Sequence, residues 1–125
     1  MRTKRPVFLD LRKIKFPIMA IVSILHRVSG FILFFCIPFF LWALSLSLQS
    51  ESSFLTLKAT IAACLFFKIV IFLMLSALIY HLFAGIRHLL MDWGLFETLP
   101  GAKASSIVVF IVSIIFAILL GIVLC

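Results

Sequence analysis

Residues 69–86 read Ile-Val-Ile-Phe-Leu-Met-Leu-Ser-Ala-Leu-Ile-Tyr-His-Leu-Phe-Ala-Gly-Ile, a stretch with no charge and with one histidine, His81, towards its end. Lys68 precedes it and Arg87 follows it. A helix that crosses the hydrocarbon core of a bilayer needs about 20 apolar residues, so this stretch reads as most of a membrane span. Working outward, the apolar segment extends over 61–91. A second lies at 18–48, with Val28–Leu48 uncharged, and a third at 104–125 carries no charge at all. Lipid offers no hydrogen-bond partner to a backbone group, so each span must satisfy its own and be helical. The expectation is an all-α membrane protein, one domain over residues 1–125, with three transmembrane helices behind a basic arm at 1–17.

Composition excludes a soluble domain. Of the 125 residues 66% are hydrophobic and 12% charged, against about 45–50% and about 25% in soluble proteins. The mean hydropathy is +1.38. The net charge of +7, from 11 Lys and Arg against 4 Asp and Glu, would suggest nucleic acid in a soluble protein. Here Arg2, Lys4, Arg5, Arg12, Lys13 and Lys15 cluster in the arm beside an apolar run. That is a topology signal, because cytoplasmic flanks collect Lys and Arg. It points to a lipid bilayer as partner and not to nucleic acid. It also puts the N-terminus in the cytoplasm and, after three crossings, the C-terminus in the periplasm. Met1 leads straight into the arm with no signal or transit segment, which favours a bacterial cell inner membrane.

Punctuation between the spans is polar. Pro6 and Pro17 disfavour continuous helix through the arm, and Pro38 should bend or loosen the first span. Residues 49–60 read as a polar connection, with Ser52 or Ser53 as a cap for the next helix. Residues 92–105 read as a polar turn with Leu99-Pro100-Gly101 as its signal. Cys36, Cys64 and Cys125 show no metal-ligand spacing and read as small apolar residues.

The polar residues near these spans carry an insertion cost and therefore point to function. In Ser23-Ile24-Leu25-His26-Arg27-Val28-Ser29-Gly30, helical geometry puts Ser23, Arg27 and Gly30 on one face, with His26 beside them. The pattern suits a polar or anionic group. The plain alternative is an arginine that only anchors the helix to the headgroups. In the second cluster His81, Gly85, His88 and Asp92 stand at i, i+4, i+7 and i+11 and form one stripe, with Arg87 pointing away. With Arg27 and Arg87 taken as markers of the interface, His81 lies about 9 Å deeper than Arg87, whereas His26 and His88 lie near the surface. An intramembrane histidine can hydrogen-bond a neighbouring helix, relay protons or ligate haem iron, and the pattern alone leaves all three open. A bis-histidine iron site would need its second ligand from another chain.

The chain closely resembles the cytochrome b large membrane-anchor subunits of succinate dehydrogenase (succinate:quinone oxidoreductase, respiratory complex II). The resemblance runs over the whole chain. It rests on Arg5-Pro6-Val7 and Leu9-Asp10-Leu11, on the Ser23–Gly30 stretch, and on Tyr80-His81 followed by Gly85-Ile86-Arg87-His88 and Asp92. It implies a membrane-anchor subunit that works with a flavoprotein subunit, an iron–sulfur subunit and a second small membrane-anchor subunit. It implies His81 as an axial ligand to the iron of a haem b shared with that sister subunit. Ser23 and Arg27 become quinone-binding residues for ubiquinone, and His26 and Arg27 neighbours of the haem propionates. His88 and Asp92 fall near the quinone end or its proton path. No catalytic residue is implied, and the isolated chain is not expected to be an enzyme.

Two other classes compete. A transporter subunit needs a coupling acid within a span, and Asp92 stands only at an interface. A purely structural subunit would use the same polar residues to hold helices together. A b-type haem spectrum separates the first reading from both.

Overall fold

The computed structural model describes residues 14–124. Residues 1–13, which hold five of the arm's six basic residues, and Cys125 lie outside the described residues. The described residues form four helices: α1 (Ile18–Gln49), α2 (Glu51–Ala63), α3 (Leu65–Asp92) and α4 (Leu99–Leu124). At about 1.5 Å per residue the 32, 28 and 26 residues of α1, α3 and α4 suffice for a core of about 30 Å and reach into the headgroups. These three are the apolar helices long enough to cross a membrane. The expected class, all-α with three membrane spans, is what the described residues adopt.

The boundaries differ from the sequence reading in two places. The polar connection at 49–60 is largely helical: α2 starts at Glu51, and Ser50, rather than Ser52 or Ser53, caps it by accepting a hydrogen bond from the Ser53 amide at 3.1 Å. The chain kinks at Cys64 and α3 follows at Leu65. At the other loop, α4 begins at Leu99, so Leu99-Pro100-Gly101 is a first helical turn and not a loop. Thr98 caps it, its Oγ1 accepting from the Gly101 amide at 3.3 Å. Pro100 is tolerated because a first-turn amide has no intrahelical acceptor to lose. Pro38 does not interrupt α1.

Lipid removes the hydrophobic drive between helices, so close packing must come from small side chains. The α3–α4 seam is built that way: Ala84, Ala102, Ser106, Val109 and Ser113 are buried. Phe72 of α3 lies 3.5 Å from where a Cβ on Gly121 of α4 would stand. Tyr80 ties three helices at once. Its hydroxyl donates to the Val22 carbonyl of α1 at 3.0 Å, and its ring stacks on Phe110 of α4 at 5.9 Å. The large apolar side chains of α1, Phe31, Phe34, Phe35 and Leu41 among them, face outward.

After α3 the chain turns on Gly94, whose φ of +83° is the left-handed conformation that glycine adopts at a helix end. The start of α1, the end of α3 and the start of α4 thereby share one end of the bundle. The polar residues singled out above gather there.

Candidate functional site

Two short stretches build the site. On α1, one turn of helix separates Val22, which is fully buried, from His26. On α3, Tyr80 is hydrogen-bonded to that same Val22. This bond fixes the register of the two helices and brings the following residue, His81, beside His26. The ring of His26 lies on the ring of His81 with centroids 4.2 Å apart and planes 14° from parallel. His88, two turns further along α3, approaches the same His26 ring at 5.0 Å.

Glycines make this convergence feasible. A Cβ on Gly85 would stand 3.3 Å from His26 Nε2, and a Cβ on Gly30 would stand only 2.9 Å from His81 Cε1. Any larger residue at Gly30 would displace the His81 ring.

Hydrogen bonds define the state of His81. Its Nδ1 lies 3.2 Å from the His26 carbonyl oxygen and 3.0 Å from Ser29 Oγ. A carbonyl can only accept, so the hydrogen sits on Nδ1. The Ser29 hydroxyl donates to the same His26 carbonyl at 2.8 Å, which leaves its oxygen free to accept from Nδ1. With Nδ1 engaged, Nε2 keeps its lone pair.

The expected stripe of His81, Gly85, His88 and Asp92 is therefore present, and His81, Gly85 and His88 all meet α1 at His26. Two readings based on depth need correction. His26 does not lie apart from His81; the crossing of α1 and α3 stacks them. Arg87 is not a headgroup marker either. It points away from the stripe, as expected, but into the seam with α4, where it is 4% exposed. There Nε donates to Ser105 Oγ at 3.0 Å and Nη2 to the Ala102 carbonyl at 3.2 Å. It lines a cleft of about 300 Å³ with Phe83, Leu90, Phe96 and Val109.

Ser23 is half-buried and Arg27, one turn on, is exposed. His88 is half-buried, while Asp92 is exposed. Ser29 and Tyr80 are the polar residues that the sequence had not assigned a role. The sequence signal for Ser29 was its place beside Gly30, two small residues together on a face that must admit a ring.

Residues 1–120 match the family described as the succinate dehydrogenase/fumarate reductase transmembrane subunit. The chain belongs to that family. Within the succinate dehydrogenase/fumarate reductase transmembrane subunits, it is 47% identical to the succinate dehydrogenase cytochrome b556 subunit of Coxiella burnetii, over 98% of each chain. It is 37% identical to the subunit of the same description from Rickettsia bellii, over 94% of this chain and 90% of that one. It is 36% identical to the succinate dehydrogenase cytochrome b560 subunit of Reclinomonas americana, over 75% and 68%. The three long apolar helices of this chain and the transmembrane description of its family agree on a multi-pass membrane protein.

Among the described residues no group of three or more His, Cys, Asp or Glu could hold a free metal ion. A haem iron asks less of one chain, a single imidazole nitrogen with its partner nitrogen held. His81 fits that requirement. Nδ1 is hydrogen-bonded and Nε2 is the nitrogen with a lone pair, while a Cβ on Gly30 would crowd the ring from the Cε1–Nδ1 side, at 2.9 and 3.5 Å, so the absence of a side chain there leaves the ring its place.

Proposed function

We propose that this chain is the membrane-anchor subunit of a succinate:ubiquinone oxidoreductase, that it holds a haem b jointly with a second small anchor subunit, and that it contributes to the ubiquinone site. A membrane subunit of an oxidoreductase complex is the common ground of its relatives' descriptions. The observation that supports the finer reading is His81, an imidazole within a membrane span whose Nδ1 hydrogen is held by two acceptors. Such a second bond fixes the tautomer of a metal-ligating histidine and raises its basicity.

His81 would then hold the haem through Nε2, and the sister subunit would supply the second ligand. A bound haem b provides a one-electron centre within the membrane. The residues of this chain do the rest. His26, in contact with His81, and Arg27, one residue on, offer hydrogen-bond donors and positive charge to the propionate carboxylates. Ser23 and Arg27 occupy successive turns of α1 and offer a hydroxyl and a fixed charge to a quinone carbonyl. A charge held in a low-dielectric pocket favours an oxygen on which negative charge accumulates. His88 and Asp92 continue the polar stripe from His26 to the exposed end of α3, and we assign them to the quinone end or its proton path. The flavoprotein and iron–sulfur subunits would dock at that end, on the cytoplasmic face of a bacterial inner membrane.

The test is to purify the complex from membranes through a tag on this chain. A flavoprotein, an iron–sulfur protein and a second small membrane subunit should co-purify. The reduced-minus-oxidised spectrum should show a b-type haem. A preparation with these partners but without haem would overturn the His81 assignment, and one without the partners would overturn the anchor reading.

A further inference from the structure

Ser29 is 6% exposed on a stretch of α1 whose neighbours Val28 and Phe31 are 47% and 68% exposed. A helical serine that bonds a carbonyl one turn back is ordinary, and such a bond needs no partner on another helix. Here the hydroxyl hydrogen goes to the His26 carbonyl at 2.8 Å, and the oxygen stands 3.0 Å from His81 Nδ1 across the helix interface. The His26 carbonyl also faces Nδ1, at 3.2 Å. One N–H thus meets two acceptors, and the nearer one is a side chain.

We infer that Ser29 is a positioning residue for the haem ligand: its oxygen accepts the Nδ1 hydrogen of His81, sets the rotation of the imidazole and tunes how strongly Nε2 donates to iron. This rests on the reading of His81 as axial ligand. Two constraints act on the ring from adjacent residues of α1. Gly30 bounds it sterically, with no room for a Cβ, and Ser29 holds it by a directed bond. An acceptor on the distal nitrogen makes the imidazole more basic, and a more basic ligand favours ferric over ferrous iron. Loss of the Ser29 oxygen leaves the weaker carbonyl contact alone. The ligand becomes less basic and the haem easier to reduce.

The experiment is a redox titration of the haem, with low-temperature electron paramagnetic resonance of its ferric state, in the purified complex. Ser29→Ala should keep its haem and shift the midpoint potential upward. The size is that of one neutral hydrogen bond, up to about tenfold in the one-electron equilibrium, or about 59 mV. The low-spin g-values should shift as the ring loses its rotational restraint. Ser29→Thr restores the hydroxyl and should return both readouts toward wild type. Ser29→Cys keeps the side-chain shape with a weak sulfur acceptor and should shift the potential in the same direction by less. It serves where the alanine variant does not assemble. Wild-type potential and g-values in assembled Ser29→Ala or Ser29→Cys, alongside loss of the normal low-spin signal in His81→Leu, would overturn the role of Ser29 and leave the ligand assignment standing. A normal low-spin signal in the His81→Leu, His26→Leu double variant would instead remove the ligand assignment, and with it this inference.

Discussion

The imidazole of His26 rests flat against that of His81, 4.2 Å between centroids and 14° from parallel. One ring belongs to the first span and the other to the second, so the pair records how the two helices cross. It also means that the candidate haem ligand has a second imidazole at its side.

The first prediction concerns haem. His81→Leu should lose the normal low-spin b-type spectrum, whereas His88→Leu, which removes a ring two turns away, should largely keep it. The neighbouring His26 is near enough to act as a substitute ligand, so the stringent form is the His81→Leu, His26→Leu double variant. Visible and electron paramagnetic resonance spectra of the purified complex decide the matter. A wild-type spectrum in the double variant would remove His81 from the iron.

A second prediction contrasts two glycines. A methyl on Gly30 would stand 2.9 Å from His81 Cε1, below any ordinary contact, while one on Gly85 would stand 3.3 Å from the tip of His26. Gly30→Ala should therefore displace the ligand ring and alter the haem spectrum. Gly85→Ala asks only for a small movement of a side-chain end and should disturb the spectrum less. Equal spectra for the two variants would show that the crossing of α1 and α3 is looser than described.

Quinone chemistry supplies the third. Ser23→Ala removes a neutral hydrogen bond, worth about 0.5–1.5 kcal/mol, and Arg27→Leu a charge-assisted one, worth about 1.5–3 kcal/mol. Succinate-driven quinone reduction should fall by about 2- to 12-fold and about 10- to 150-fold respectively. Succinate oxidation by an artificial dye that takes electrons before the membrane should stay intact in both. Parallel loss of the two activities would indicate misassembly, and unimpaired quinone reduction in assembled Arg27→Leu would make Arg27 a plain interface anchor.

The fourth concerns sidedness. A reporter fused after Cys125 should appear in the periplasm and one placed near Lys103 in the cytoplasm. The opposite pattern would invert the bundle and detach the quinone site from the side that supplies electrons.

The three spans were legible because length and apolarity alone decide them, as in the charge-free run at 69–86. Helix α2 was not. Its first eight residues, Glu-Ser-Ser-Phe-Leu-Thr-Leu-Lys, mix polar and apolar types too evenly to stand out beside strongly apolar neighbours, and its cap, Ser50, stands one residue before it. The face shared by His81, Gly85 and His88 followed from helical spacing. The stacking of His26 on His81 did not, because it depends on the crossing of two helices. The depth estimate also used Arg87 as a surface marker, and burial of that guanidinium against Ala102 and Ser105 was written in tertiary packing alone.

That burial bears on biogenesis. Arg87 precedes its acceptors by 15 and 18 residues, so it leaves the ribosome and enters the bilayer before they exist as a docking surface. Until the last helix arrives, the guanidinium must stay among water and lipid headgroups, since a bare charge in hydrocarbon is costly. Insertion of the final helix is then the event that draws this cation inside. The order of synthesis becomes an order of assembly, with the α3–α4 seam around Arg87 closed last.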